Sequence, residues 1–278
     1  MKISRSLIHG PGFRAGALLV LLTSSVSTPS LAQEPILLRV DAPVGRVTTY
    51  RTQTQSWLPG FPTDPDRPSM VMTDSTTETI TAVEGEARTI STVVVSSQVD
   101  MSDMTPEMRA VKNVIKGQTT VRRMDSRGRV LSSEMTRKGQ GMDGPAAPHA
   151  ASTFTLPEGP IRIGDTWSAT ETMPMGPGTG GLWTAILQVT YRLERIGLKG
   201  GARVAVISMN GAGTAWLKLA GLSPNQHLVK SSRPPSGTMS GEIHLDLDAK
   251  WMVGLTMSME DEWGTTRGIK TRMTSTAQ

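Results

Sequence analysis

Three stretches between Trp183 and Glu260 alternate apolar and polar residues with period two, a pattern that excludes an amphipathic helix in them. Leu187, Val189, Tyr191 and Leu193 alternate with Gln188, Thr190, Arg192 and Glu194. Successive side chains on a strand point to opposite faces, so Trp183 to Ile196 reads as a strand with one dry and one wet side. The segment Gly197-Leu198-Lys199-Gly200-Gly201 supplies a turn, and Arg203 to Met209 returns as a second strand. Further on, Ile243, Leu245 and Leu247 alternate with Glu242, His244, Asp246 and Asp248. Ala249-Lys250-Trp251 turns the chain, after which Val253, Leu255, Met257 and Met259 alternate with Gly254, Thr256, Ser258 and Glu260. Two hairpins of the same make therefore occupy this half.

The first half carries a fainter copy. Gly45 to Ser56 is similar to Gly164 to Thr172, and Ser75 to Val95 aligns without a gap with Thr190 to Asn210, placing Gly85 on Gly200 and Ala87-Arg88 on Ala202-Arg203. Gly117 to Leu131 then follows Gly241 to Leu255. The reading is a duplicated unit of about five strands, near 45–136 and 164–262. Around these lie a leader (1–32), an N-terminal segment (33–44), a Pro/Gly-rich linker (137–163) and a C-terminal strand or tail (263–278). One short helix is predicted near 105–116: Thr105-Pro106-Glu107 has the order of a helix start, Met108, Val111, Val114 and Ile115 recur at helical spacing, and Gly117 suits a stop.

The leader determines the expected compartment. Lys2, Arg5 and Arg14 are followed by the short apolar run Ala15 to Leu22, and Ser30-Leu31-Ala32 has the small residues of a cleavage site. The expectation is export to the periplasm, with the extracellular space as the alternative. The chain has no cysteine, hence no lipid-anchoring thiol and no disulfide. Three of its 29 basic residues lie in the acid-free leader, so against 24 acidic residues the remainder is nearly neutral, which argues against a nucleic-acid partner. No apolar run of about 18 residues follows the leader, so no transmembrane helix is expected.

Catalytic constellations are missing from the sequence. His149, His227 and His244 have no second ligand at a zinc spacing, and there is no nucleophile elbow or phosphate loop. No catalytic residue, metal or cofactor is assigned, and the chain is not expected to be an enzyme. Glu242, Asp246 and Asp248 on one strand face are the weak basis for a carboxylate-dependent hydrolase, against the plainer reading of a solvated face. Arg122, Arg123, Arg127 and Arg129 form a basic spot around a turn, read as a hairpin tip or a contact for anionic lipid. Methionine is enriched, at 17 residues; thioethers suit Cu(I), but filling apolar volume is the simpler role.

One run resembles a known group. Leu156-Pro157-Glu158-Gly159-Pro160-Ile161-Arg162-Ile163-Gly164-Asp165-Thr166-Trp167, with the Asp125-x-x-Gly128-x-Val130 hairpin, is similar to a family of exported bacterial proteins of unknown function. The resemblance implies a curved sheet akin to the half-barrels of lipoprotein and lipid carriers, and carries no catalytic residues with it.

The expected architecture is all-β: a strongly curved, half-barrel-like antiparallel sheet of about 10–11 strands with one short helix. A two-sheet β-sandwich is the alternative. The expected function is a non-catalytic envelope protein that binds an apolar or amphipathic, lipid-like ligand on a concave face. The candidate lining is Leu187, Val189, Tyr191, Leu193, Val253, Leu255, Met257 and Met259. A structural module that binds an envelope protein through its Pro/Gly loops is the second expectation.

Overall fold

The computed structural model describes residues 34–57, 67–101, 115–139, 154–175, 183–217, 236–263 and 266–278. They form eleven strands: β1 (Val47–Trp57), β2 (Met70–Glu84), β3 (Ala87–Met101), β4 (Thr119–Met124), β5 (Val130–Arg137), β6 (Thr166–Met175), β7 (Trp183–Lys199), β8 (Ala202–Leu217), β9 (Ser236–Asp246), β10 (Trp251–Trp263) and β11 (Thr266–Ala277). All lie in one open antiparallel sheet in the order β5-β4-β3-β2-β1-β11-β10-β9-β8-β7-β6. The sandwich alternative is thereby overturned. The final segment, 263–278, is mostly strand β11; it pairs with β10 on one side and β1 on the other, so the ladder is never interrupted.

Each half is a five-strand meander, β1 to β5 and β6 to β10, with β11 inserted between them. Gly85 and Gly200, aligned in the sequence, both sit at hairpin tips with φ near 58° and 59°. The second tip is shorter than the sequence suggests. β7 continues through Lys199, and only Gly200 and Gly201, both at positive φ, make the turn. The predicted helix falls mainly on residues outside those described; its end, Ile115 to Gly117, is a turn.

Curvature follows from the hydrogen bonds at the tight-turn end. Val40 N–H donates to Ser126 O in the β4–β5 tip, and Asp41 N–H donates to Lys250 O in the β9–β10 tip. On a flat sheet those tips would stand about 29 Å apart, at about 4.8 Å per strand. Two consecutive residues reach both, so the sheet curls until its tips converge on the 34–44 segment. Asp41 also pairs with Arg88 of β3 and, at 2.9 Å, with Lys250 Nζ.

A second extended segment crosses the same end. Leu156 N–H donates to Arg127 O, Trp167 Nε1–H to Thr155 O at 2.6 Å, and Ile36 pairs with Ile161 as an isolated bridge. This strap ties the β4–β5 tip to β6, which are at opposite edges of the sheet. Of the span read as a linker, 137–163, residues 140–153 lie outside those described, and Phe154 and Leu156 are core residues. Gly128 shows how closely the strap seats, because a Cβ there would stand 2.7 Å from the Phe154 carbonyl oxygen. Leu38, Val40 and Ala42 alternate into the same core, so the N-terminal segment over 34–44 is a plug.

The motif Ile163-Gly164-Asp165-Thr166-Trp167 anchors edge strand β6. Gly164 N–H donates to Leu193 O, Asp165 Oδ2 accepts from Arg162 N–H at 2.8 Å, and Trp167 stacks on Tyr191 with ring centroids 5.4 Å apart.

Candidate ligand cavity

Side-chain alternation places two different sets of residues on the concave face. From β7 to β9 come Leu187, Val189, Tyr191, Leu193, Ala205, Ile207, Met209, Ile243 and Leu245, all buried in one core cluster. From β1 to β4 come Tyr50, Thr52, Thr54, Met72, Asp74, Thr76, Glu78, Thr92, Thr120 and Arg122, and these line a cavity of about 140 Å³. Met124, Val130, Trp251, Met252, Leu255, Met273, Ser275, Val40 and Phe154 complete its wall. Residues of β4 and β10 share this void because the sheet curls; flat, they would be about 24 Å apart.

Of the eight residues expected to line a ligand site, Leu255 faces this cavity. Leu187, Val189, Tyr191, Leu193, Met257 and Met259 are buried in the core cluster with it. Val253 departs from the expectation. A β-bulge between Met252 and Gly254 shifts the β9–β10 register, so Met252 rather than Val253 shares the inward face with Leu255.

The polar part of the wall is built around β2. Glu78 Oε1 accepts from Arg122 Nη2 at 2.8 Å, with both side chains about nine-tenths buried. Thr92 faces Glu78 across the β2–β3 ladder and Thr120 faces Thr92 across β3–β4, a row of hydroxyls beside the ion pair. Asp74 lies farther along the same β2 face, 3% exposed. Tyr50 donates to Met252 O at 2.7 Å. Its burial, with the Glu78 charge adding to it, holds the phenol far above its ordinary pKa. On the packed side Tyr191 donates to the buried Glu171 Oε1 at 2.8 Å, and burial first, then Glu171, raises that phenol likewise.

Beyond the cavity, toward the end where β1 finishes at Trp57, the concave face turns to methionine. Met70 pairs across the ladder with Met101, Met257 with Met273, and Met259 with Met239. Long, unbranched thioethers adapt to irregular apolar partners.

The carboxylates weighed for hydrolysis are otherwise employed. β9 ends at Asp246, so Asp248 is not on the strand, a correction of the shared-face reading. Asp246 Oδ1 accepts the Asp248 and Ala249 N–H groups of the turn, and Asp248 accepts from Arg203 Nη2 at 2.9 Å. The basic spot is neutralised as well: Arg122 pairs with Glu78, Arg123 with Glu84, Arg127 with Glu158 and Arg129 with Asp125. Among the described residues no cluster of three metal-ligating side chains occurs, and no helix is long and apolar enough to cross a membrane.

Glu78, Asp74 and Tyr50 were not singled out from sequence. Along β2 the inward Met70, Met72, Asp74, Thr76 and Glu78 alternate with outward Val71, Thr73, Ser75 and Thr77, so neither face is dry and no period stands out.

No family model matches the chain, and no curated protein matches it. Among solved structures the chain is similar to one titled "Lipid-protein interactions in lipovitellin", with a TM-score of 0.43 and 11% identity. The match covers 86% of this chain and 25% of that one, so this chain spans about a quarter of that protein's length. A likeness at this level carries no argument here.

Proposed function

We propose that this is an exported, non-catalytic binding protein of the cell envelope that holds an apolar or amphipathic ligand against the concave face of its sheet. The observation that carries the reading is the cavity over β1 to β4, continued by the methionine band, in a sheet whose other half is filled. At about 140 Å³ the cavity is small beside the roughly 300–1,000 Å³ typical of whole-ligand sites. It suits one end of a ligand; Met70, Met239, Met257 and Met259 beside it are each 9% exposed or less, so these flexible thioethers must move aside to admit the remainder. Burying a chain there gains about 0.8 kcal/mol per CH₂.

Native mass spectrometry of the purified protein tests this, together with titration of a fluorescent fatty acid. Co-purifying lipid or saturable uptake is the expected result. Absence of both overturns the proposal.

A further inference from the structure

We infer, building on the ligand-binding reading above, that the cavity takes the hydroxyl head of an uncharged single-chain amphiphile such as a long-chain alcohol. Both kinds of hydrogen-bonding group stand unmet on residues of the wall. On the acceptor side is Glu78, 8% exposed. Its Oε1 is engaged by Arg122 Nη2 and, at 3.5 Å, by Thr92 Oγ1, whereas its Oε2 has no partner among the described residues. On the donor side are Arg122 Nε–H and Trp251 Nε1–H, on side chains as deeply buried, and neither finds an acceptor among the described residues. Trp251 lies beside Tyr50 and bears on its ionisation, but its N–H makes no well-formed hydrogen bond there. Buried polar groups left in this state are costly, and a ligand that meets them relieves the cost.

The inventory of unmet groups selects the head. One acceptor and two donors await partners, and a hydroxyl carries the complement, one O–H and two lone pairs. An ammonium donates to Glu78 but offers nothing to Arg122 or Trp251. A carboxylate accepts from both donors, offers nothing to Glu78 and stands beside its negative charge. Glu78 and Arg122 cancel each other's charge, and Asp74, the other acid of the wall, has a partner of its own. The pair therefore calls for a neutral bridging group rather than a counter-ion. Met72, Phe154 and Leu255 in the same wall give apolar contact to the first carbons of the chain.

The test is isothermal titration calorimetry of the full chain with decanol, its isomer methyl nonyl ether, decylamine and decanoate, each below its micellar or solubility limit. Decanol is expected to bind about tenfold tighter than the ether, which accepts but cannot donate, and than decylamine, which donates but cannot accept, with decanoate weakest. Trp251→Phe keeps the ring and removes the N–H, and should narrow the lead of decanol over decylamine severalfold. If the ether, the amine or the carboxylate binds as tightly as decanol, the hydroxyl assignment is overturned and the ligand-binding reading stands. The same holds if none of the four binds while a fluorescent fatty acid is taken up; if that is not taken up either, both fall. An undiminished lead in a folded Trp251→Phe variant also overturns the assignment. Should that variant not fold, the head-group series on the unaltered protein decides alone.

Discussion

Over β7, β8 and β9 the concave face is filled by its own side chains, whereas over β1, β2 and β4 the same face encloses a void. Branched aliphatics supply the first half, with glycines set among them. A Cβ on Gly213 would strike the Ile186 carbonyl oxygen, and one on Gly241 the Thr256 carbonyl oxygen. Bare backbone at those positions lets the strands bend closely around Val189, Met209 and Ile243. The second half carries threonines, two acids and an arginine, whose polar ends need partners and cannot be pressed into apolar contact. Facing inward and facing a ligand are therefore separate properties, and the strongest alternation in the chain marks the packed half.

The sharpest way to break this contrast is Arg122→Ala, which strands the buried Glu78 charge. It should cost about 3–5 kcal/mol in urea unfolding, whereas Glu78→Leu with Arg122→Met together should recover much of the loss. Equal losses from the single and double changes would show that the pair is not what matters.

On the packed side, Leu193→Ala should cost about 2–5 kcal/mol while leaving ligand uptake unchanged. A comparable fall in uptake would mean that the two halves form one site. Gly241→Ala tests the curvature itself. Its new methyl also meets Met209 Cε at 2.6 Å, and the expected cost is about 1–3 kcal/mol, read as a lower unfolding midpoint.

The two tyrosines of the chain report on one half each, Tyr50 on the cavity side and Tyr191 on the packed side. Both phenols are raised, so the neutral forms stabilise the fold. That contribution is intact below the unfolded phenol value of about 10 and is lost as pH rises beyond it. In an alkaline absorbance titration, phenolate should appear only as the chain unfolds. If Tyr50 alone ionises near 10, in a Tyr191→Phe background, the cavity is freely open to water.

The smallest effect is expected at the β9–β10 tip. Hydrogen bonding to Arg203 holds the Asp248 carboxyl below its usual range, so its contribution is present above the unfolded value and fades as pH falls through the folded one. Asp248→Asn should lower stability slightly at neutral pH and not at all in acid, with ligand uptake untouched.

Much of the local structure is legible from residue order. The β7–β8 and β9–β10 hairpins follow from alternation, and seven of the eight residues taken from their dry faces as candidate lining are buried. The eighth, Val253, is displaced by a bulge, which adds one residue without any mark in composition. The strap at 154–161 reads as linker because its prolines and glycines lack a period, yet Leu156 is fully buried. The plug at 34–44 does alternate, but a short apolar segment gives no sign of which tips it will meet. The cavity was the least legible part, since Asp74 and Glu78 look like solvent-facing residues until the sheet curls over them.

What residue order determined is the all-β character, the hairpins of the second half and the dry side of the strands that alternate, because a period of two is a property of neighbouring residues. Only the tertiary structure decided that β11 lies between β10 and β1, that eleven strands share one sheet, and that its tips converge on Val40 and Asp41. Those outcomes depend on pairings between distant segments and on accumulated curvature. The same curvature determined which inward-facing residues touch each other and which, like Glu78, were left facing a void.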